Sequence, residues 1–202
     1  MKNVIFDFGN VIVQWQPFRA LNGVFQTVDD MNATLDKIGF YDWNLEQDRG
    51  RSFDDALAAA KRDTPDHLHV FEAYFDGLLA AHDQLIPGTS ELITELHGRG
   101  VNLFGLTNAA RPSYEIVRSV APVVGLVQDV VVSGDERIIK PDPDIFHLCL
   151  NRNGLVADET LFVDDSLANC QAAETVGITA HHFKHAAGLE ADLKKHGLLQ
   201  KG

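Results

Sequence analysis

Val4-Ile5-Phe6-Asp7-Phe8-Gly9-Asn10-Val11 is the stretch on which the fold turns. Its apolar run, Val4 to Phe8, is short and opens on β-branched residues, and it carries an acid near its end. Four further runs share this form: Val101 to Leu106, Val130 to Ser133, Leu161 to Val163 and Ile178 to His182. Periodicity alone does not separate buried strands from buried helices. Shortness, β-branched content and spacing by helix-length segments predict strands of a parallel sheet joined by helical crossovers. The intervening helices are legible. Thr89 to His97 is amphipathic and ends near Gly98 and Gly100, and Pro112 to Val120 follows the second run. Asp142-Pro143 reads as an N-cap and N1 proline for a helix Asp144 to Asn153 closed by Gly154, and Ser166 to Val176 is closed by Gly177. The expected fold class is α/β, a Rossmann-like parallel sheet with helices on both faces.

Residues 14 to 86 break this rhythm and show no strand alternation. Phe18 to Phe25, Met31 to Ile38, Phe53 to Lys61 and Pro65 to Ala81 read as helices around a polar loop, Glu46 to Ser52, and Pro87-Gly88 marks the return. The predicted organisation is a core domain of residues 1–13 and 87–202 with a small all-helical cap, 14–86, inserted after the first strand. The last segment, Ala186 to Gly202, reads as a short Lys- and Leu-rich helix packing on the sheet edge.

Composition bounds the function classes. A chain of 202 residues with 45% hydrophobic and 23% charged residues suits one core with a modest insertion. The net charge of −12 argues against nucleic acid as a partner, because binding there requires Lys and Arg to displace counterions. Two cysteines, Cys149 and Cys170, both in helical stretches, indicate no disulfide framework. The apolar run before Asp7 is too short for a signal peptide and no stretch approaches a membrane span, so a cytoplasmic protein is expected; the partner expected is a small molecule, and the assembly a monomer or homodimer.

In an open parallel sheet, ligands bind beyond the carboxyl ends of the strands, so residues just past each run converge. After the first run stand Asp7 and Gly9, after the second Thr107-Asn108, after the third a loop to Lys140-Pro141, and after the fourth Asp164-Asp165. Each has a bland explanation: a turn residue, a helix N-cap, a solvated charge, a first-turn acid at a helix dipole. None of these explains four complementary polar clusters at the ends of four successive strands.

Phe6 to Val11, Leu106-Thr107-Asn108, Lys140-Pro141-Asp142-Pro143 and Val163-Asp164-Asp165-Ser166 resemble, in that order, motifs one to four of the haloacid dehalogenase-like hydrolases. The resemblance spans Lys2 to Phe183, and within it the chain looks most like bacterial phosphatases of sugar phosphates such as glucose 1-phosphate. It implies an aspartyl-phosphate mechanism with Asp7 as nucleophile and Mg²⁺ held by Asp7, the Gly9 carbonyl and Asp165, with Asp164 as ligand or support. Thr107, Asn108 and Lys140 would hold the phosphoryl group. Asp48 and Arg49, in a segment that resembles the substrate-facing loop of capped relatives, would meet the substrate. Phosphoryl transfer rests on positioning and charge neutralisation, which suits this set.

The departure is Gly9, where most phosphatases of the superfamily carry a second aspartate that protonates the leaving oxygen. General acid–base catalysis contributes about 10²–10⁴-fold. Its loss implies slow turnover, a substitute acid from Glu46 to Ser52, or a substrate with a good leaving group. Trp15 and Trp43 are expected to pack in the core or cap, and the pairs His181-His182 and His67-x-His69 to bind no metal. Two competing readings remain: a metal-independent 2-haloacid dehalogenase, and a degenerate binding protein.

Overall fold

The computed structural model describes residues 1–200. All five runs expected to be strands are strands: β1 (Asn3–Phe6), β2 (Asn102–Thr107), β3 (Val130–Val132), β4 (Thr160–Asp164) and β5 (Thr179–His182). They lie parallel in the order β3-β2-β1-β4-β5. β1 is central, with Phe6 paired to Gly105 on one side and to Val163 on the other. The chain runs outward from β1 to β3 and then returns to β4 beside β1. The strand order therefore reverses at the end of β1, where a crevice opens.

Between β1 and β2 the chain is helical: α1 (Pro17–Ala20), α2 (Val28–Lys37), α3 (Phe40–Asp48), α4 (Phe53–Asp63), α5 (Leu68–Asp76), α6 (Leu78–Ala81) and α7 (Thr89–Gly98). After β2 come α8 (Arg111–Val120), the single turn α9 (Ser133–Glu136), α10 (Pro143–Asn153), α11 (Leu167–Thr175) and α12 (Ala186–Lys195). Side chains alternate across β1, so its two faces feed two cores. Val4 and Phe6 pack with Leu92 and Ile93 of α7, Val117 of α8 and Leu189 of α12. Ile5 packs with Phe146 of α10 and Ala173 of α11. Helices thus cover both faces, as expected.

The helices from α1 to α6 enclose a third apolar cluster that includes Leu35, Phe40, Trp43, Phe71 and Tyr74. Trp43 and Phe71 lie 4.6 Å apart by ring centroids and Phe53 stacks on Phe75 at 3.9 Å. Such pairs add about 0.5–1.5 kcal/mol each beyond the area they bury. Thr27 and Ser52 cap α2 and α4 by accepting from Asp30 N and Asp55 N.

Several helix boundaries differ from the sequence expectation. The expected helix Phe18 to Phe25 stops at Ala20, because Asn22-Gly23 turns the chain and Gly23 adopts a φ of +87°. Pro65 to Ala81 is three pieces, a 3-10 turn, α5 and α6, broken at Gly77, where α1 approaches so closely that a Cβ would stand 2.2 Å from Ala20 O. Glu46 to Ser52 is not all loop: Glu46, Gln47 and Asp48 form the last turn of α3. That helix lacks a one-sided apolar stripe, and its buried Gln47 is satisfied by bonds to Trp43 O and from Arg51. The terminal helix ends at Lys195 and packs on the α7 face rather than the sheet edge; the expected extension reaches residues 201–202, outside the described residues.

Candidate active site

Parallel register brings Asp7 and Asp164 to one level with Thr107 one residue beyond, all at the carboxyl ends of three adjacent strands. Asp7 N donates to Val163 O at 2.9 Å, fixing the acid at the crevice floor. The chain then turns tightly, with Ile12 N and Val13 N both reaching Phe8 O and Asn10 in the left-handed region at φ 54°. Asparagine tolerates that conformation better than most residues.

Lys140 is 2% exposed, and its ammonium spends all three protons. They go to Asp7 Oδ1 at 2.9 Å, Asp164 Oδ2 at 2.7 Å and Leu106 O at 2.8 Å. Asn108 clamps the Lys140 backbone at both ends: Lys140 N donates to Asn108 Oδ1 and Asn108 Nδ2 donates to Lys140 O, each at 2.9 Å. The Asn108 side chain is therefore committed to placing Lys140.

Asp164 is fully buried and also engaged. It accepts from Ser166 N at 2.8 Å and from Asn169 Nδ2 at 3.0 and 3.1 Å, besides Lys140. Asp165 is half-buried and freer, taking only a 3.3 Å bond from Asn10 Nδ2, while its backbone carbonyl accepts from His182 Nε2. Sequence reasoning assigns no role to Asn10 or Asn169. Their signal was position: each amide sits where a carboxylate needs orienting.

Asp7, Asp164 and Asp165 offer oxygens that all lie within 4.8 Å of one another. Three carboxylates against one ammonium leave the cluster two charges negative when ionised. Burial accordingly raises the Asp7 carboxyl, with Lys140 opposing and Asp164 adding to the rise. Asp165 is raised as well, by burial and then by Asp164. Burial also disfavours the Lys140 cation, but Asp7 and Asp164 outweigh it and hold the lysine charged. A hard divalent cation fits this donor set, since it supplies the missing charge to oxygen ligands in hydrogen-bonded places.

The floor of the cleft also includes Gly9, Thr107 and Asn108, and its opposite wall comes from the helical insertion. That wall carries Trp15, Phe53, Tyr74, Phe75 and Leu78 together with Asp48. Arg49 is not part of this lining; it pairs with Glu46 at 2.6 Å on the exposed side of α3. Trp43 is core to the helical insertion and Trp15 donates to Tyr74 Oη at 3.1 Å.

With this geometry, residues 1–177 match the family model for haloacid dehalogenase-like hydrolases, and the chain belongs to that family. It is 30% identical over 106 residues to the sesquiterpene phosphatase astK of Aspergillus oryzae, covering 52% of this chain and 54% of that protein. It is 29% identical over 131 residues to the phosphoglycolate phosphatase of Yersinia pseudotuberculosis, covering 63% and 53%. The chain thus matches about half the length of these two relatives. Among solved structures, a HAD family enzyme of Bacteroides thetaiotaomicron in complex with magnesium and inorganic phosphate superposes with a TM-score of 0.70 at 20% identity, covering 92% of this chain and 95% of that one. No described helix is long and apolar enough to cross a membrane.

Proposed function

We propose that this protein is a Mg²⁺-dependent phosphatase of small phosphorylated metabolites in the cytoplasm, working through an aspartyl-phosphate on Asp7. The observation that carries the reading is the cluster of three carboxylates, two of them paired with the buried Lys140, at the floor of a cleft roofed by the helical insertion, a cap over the core. Asp7, Asp165 and the Gly9 carbonyl would hold Mg²⁺, with Asp164, whose oxygens are already engaged, orienting Lys140. Bound there, the ion supplies charge neutralisation for the phosphoryl group. The matched phosphatases and the magnesium and phosphate complex of the structural neighbour support this reading.

Asp7 attacks phosphorus while the ester P–O bond breaks, forming an acyl phosphate; water then cleaves it and releases inorganic phosphate. Thr107 and Asn108 line the cleft, and the Thr107 hydroxyl and Asn108 backbone N–H would take the phosphoryl oxygens. Lys140 favours the ionised form of Asp7 against the effect of burial, as attack requires. Sugar phosphates such as glucose 1-phosphate are one substrate class. The aromatic and aliphatic cap wall favours a second, esters of alcohols with an apolar body, and the sesquiterpene phosphatase relative is consistent with it. The 2-haloacid dehalogenase reading is weaker, because it leaves Asp165 and the negative cluster without purpose.

A panel of both ester classes assayed with and without Mg²⁺ tests the proposal. Mg²⁺-dependent phosphate release, abolished in Asp7→Asn, is expected. Undiminished turnover by Asp7→Asn, or chloride release from 2-haloacids without metal, overturns it.

A further inference from the structure

The phosphatase reading leaves the departing oxygen without a proton donor, since Gly9 carries no side chain. The cleft holds few candidates. Lys140 has committed its three protons. Asp165 belongs to the cation cluster. His82 is buried, its Nδ1 lies 2.9 Å from Leu78 O, and burial lowers its pKa, so the ring is neutral and presents Nε2 as an acceptor. Burial raises Tyr74 and Tyr114, making both weaker acids.

Asp48 remains, at the end of α3 and lining the same cleft as Asp7 and Gly9. Its position is fixed by the core. Ser133 Oγ donates to Asp48 O at 2.6 Å and accepts from Ala109 N at 3.0 Å, so one hydroxyl ties the cap to the loop that follows Thr107-Asn108. Just beyond, Gly50 lies so close to α9 that a Cβ there would stand 2.5 Å from Gly134 O.

We propose that Asp48 is the acid–base residue of this reaction, acting from the cap in place of a side chain at position 9; the inference rests on Asp7 being the nucleophile. In the first step Asp7 bonds to phosphorus, the P–O ester bond breaks, and the Asp48 proton passes to the departing alcohol oxygen. In the second, the Asp48 carboxylate takes a proton from water as that water attacks phosphorus, the acyl P–O bond breaks, and phosphate and ionised Asp7 are regenerated. Asp48 ends protonated and ready for the next cycle.

The electrostatics agree. Loss of hydration pushes the Asp48 carboxyl up to about 7, against the pull of the Ala110 amide, Lys140 and Arg49, so both forms are populated near neutrality. Tyr74 faces it from α5 as a neutral phenol. On α9, Asp135 and Glu136 are paired with Arg111 and Arg152.

The test compares p-nitrophenyl, phenyl and benzyl phosphate, in order of rising leaving-group pKa, with Mg²⁺. Asp48→Asn is expected to lower kcat on benzyl phosphate by about 10²–10⁴-fold and on p-nitrophenyl phosphate far less. In wild type, turnover of benzyl phosphate falls as pH rises through about 7, the limb being absent with p-nitrophenyl phosphate. A Cβ on Gly9 meets nothing within 4 Å, so Gly9→Asp in the Asp48→Asn background is expected to restore benzyl phosphate turnover. Equal loss on all three esters shows a merely structural role and overturns the proposal, as does unchanged turnover of benzyl phosphate. The wild-type pH limb decides even where Asp48→Asn fails to fold. A wild type without Mg²⁺-dependent hydrolysis, or an active Asp7→Asn, instead overturns the phosphatase reading and this inference with it.

Discussion

Lys140 Nζ stands 2.9 Å from Asp7 Oδ1, with only 1% of the lysine side chain exposed. One buried cation therefore opposes the rise that burial imposes on the acid on which the proposed chemistry depends. Its removal leaves Asp7 and Asp164 as buried like charges. Lys140→Met is expected to cost about 3–5 kcal/mol of stability near neutral pH, measured by urea denaturation. The deficit shrinks as pH falls, because the Asp7 carboxyl, already raised by burial, takes up a proton and the repulsion is lost. Lys140→Arg does not restore function, since a planar guanidinium cannot direct three donors as the ammonium does.

Asp48 predicts a trade of stability against function. Its folded-state pKa is raised to about 7 from 3.8, so the folded chain holds the proton more tightly than the unfolded one. The group costs nothing below its unfolded pKa, and its cost grows as pH rises through the folded value. Asp48→Asn is therefore expected to raise Tm at about pH 8 and leave it unchanged at about pH 4, measured without Mg²⁺. A rise of equal size at both pH values contradicts this account.

Binding of Mg²⁺ to the folded state alone adds stability in proportion to the logarithm of its concentration, about 2.7 kcal/mol at a hundredfold excess over Kd. Wild type is expected to show a Mg²⁺-dependent rise in Tm, and Asp165→Asn to lose most of it. Asp165 is half-buried and takes only the 3.3 Å Asn10 contact, so its substitution leaves the Lys140–Asp164–Asn169 network in place. An undiminished shift in Asp165→Asn removes that residue from the ligand set.

Gly77 tests how the helical insertion is built. A Cβ there would stand 2.2 Å from Ala20 O and 2.6 Å from Ala20 Cα, and backbone atoms cannot swing aside. Gly77→Ala is expected to destabilise by about 1–3 kcal/mol, as overpacking does. It also raises KM, because α6 carries Leu78 on the cleft wall. Gly98→Ala, whose Cβ meets nothing within 4 Å, serves as the matched control.

The sheet is legible in the sequence because its signal is local. A run such as Val4 to Phe8 is apolar enough to be buried, too short for a helix, and followed by residues that only a loop accepts. The same holds for Asp142-Pro143 and Gly154 at the two ends of α10. Helix α3 was harder to see. Phe40, Trp43 and Gln47 are buried at helical spacing, but a buried glutamine breaks the hydrophobic pattern, and only its bonds to Trp43 O and Arg51 make it tolerable.

The sequence by itself determined the α/β class, the strand-end positions of Asp7, Thr107 and Asp164, and the family to which the chain belongs. These follow from short-range patterns that survive without knowledge of contacts. Tertiary structure decided the rest. It turned Arg49 outward to Glu46, committed the Asn108 side chain to Lys140, left Asp165 the freest of the three clustered carboxylates, and set Asp48 in the cleft with Asp7. Such choices depend on which long-range partner satisfies each polar group and on how far burial strips its water. Neither is a property of neighbours along the chain.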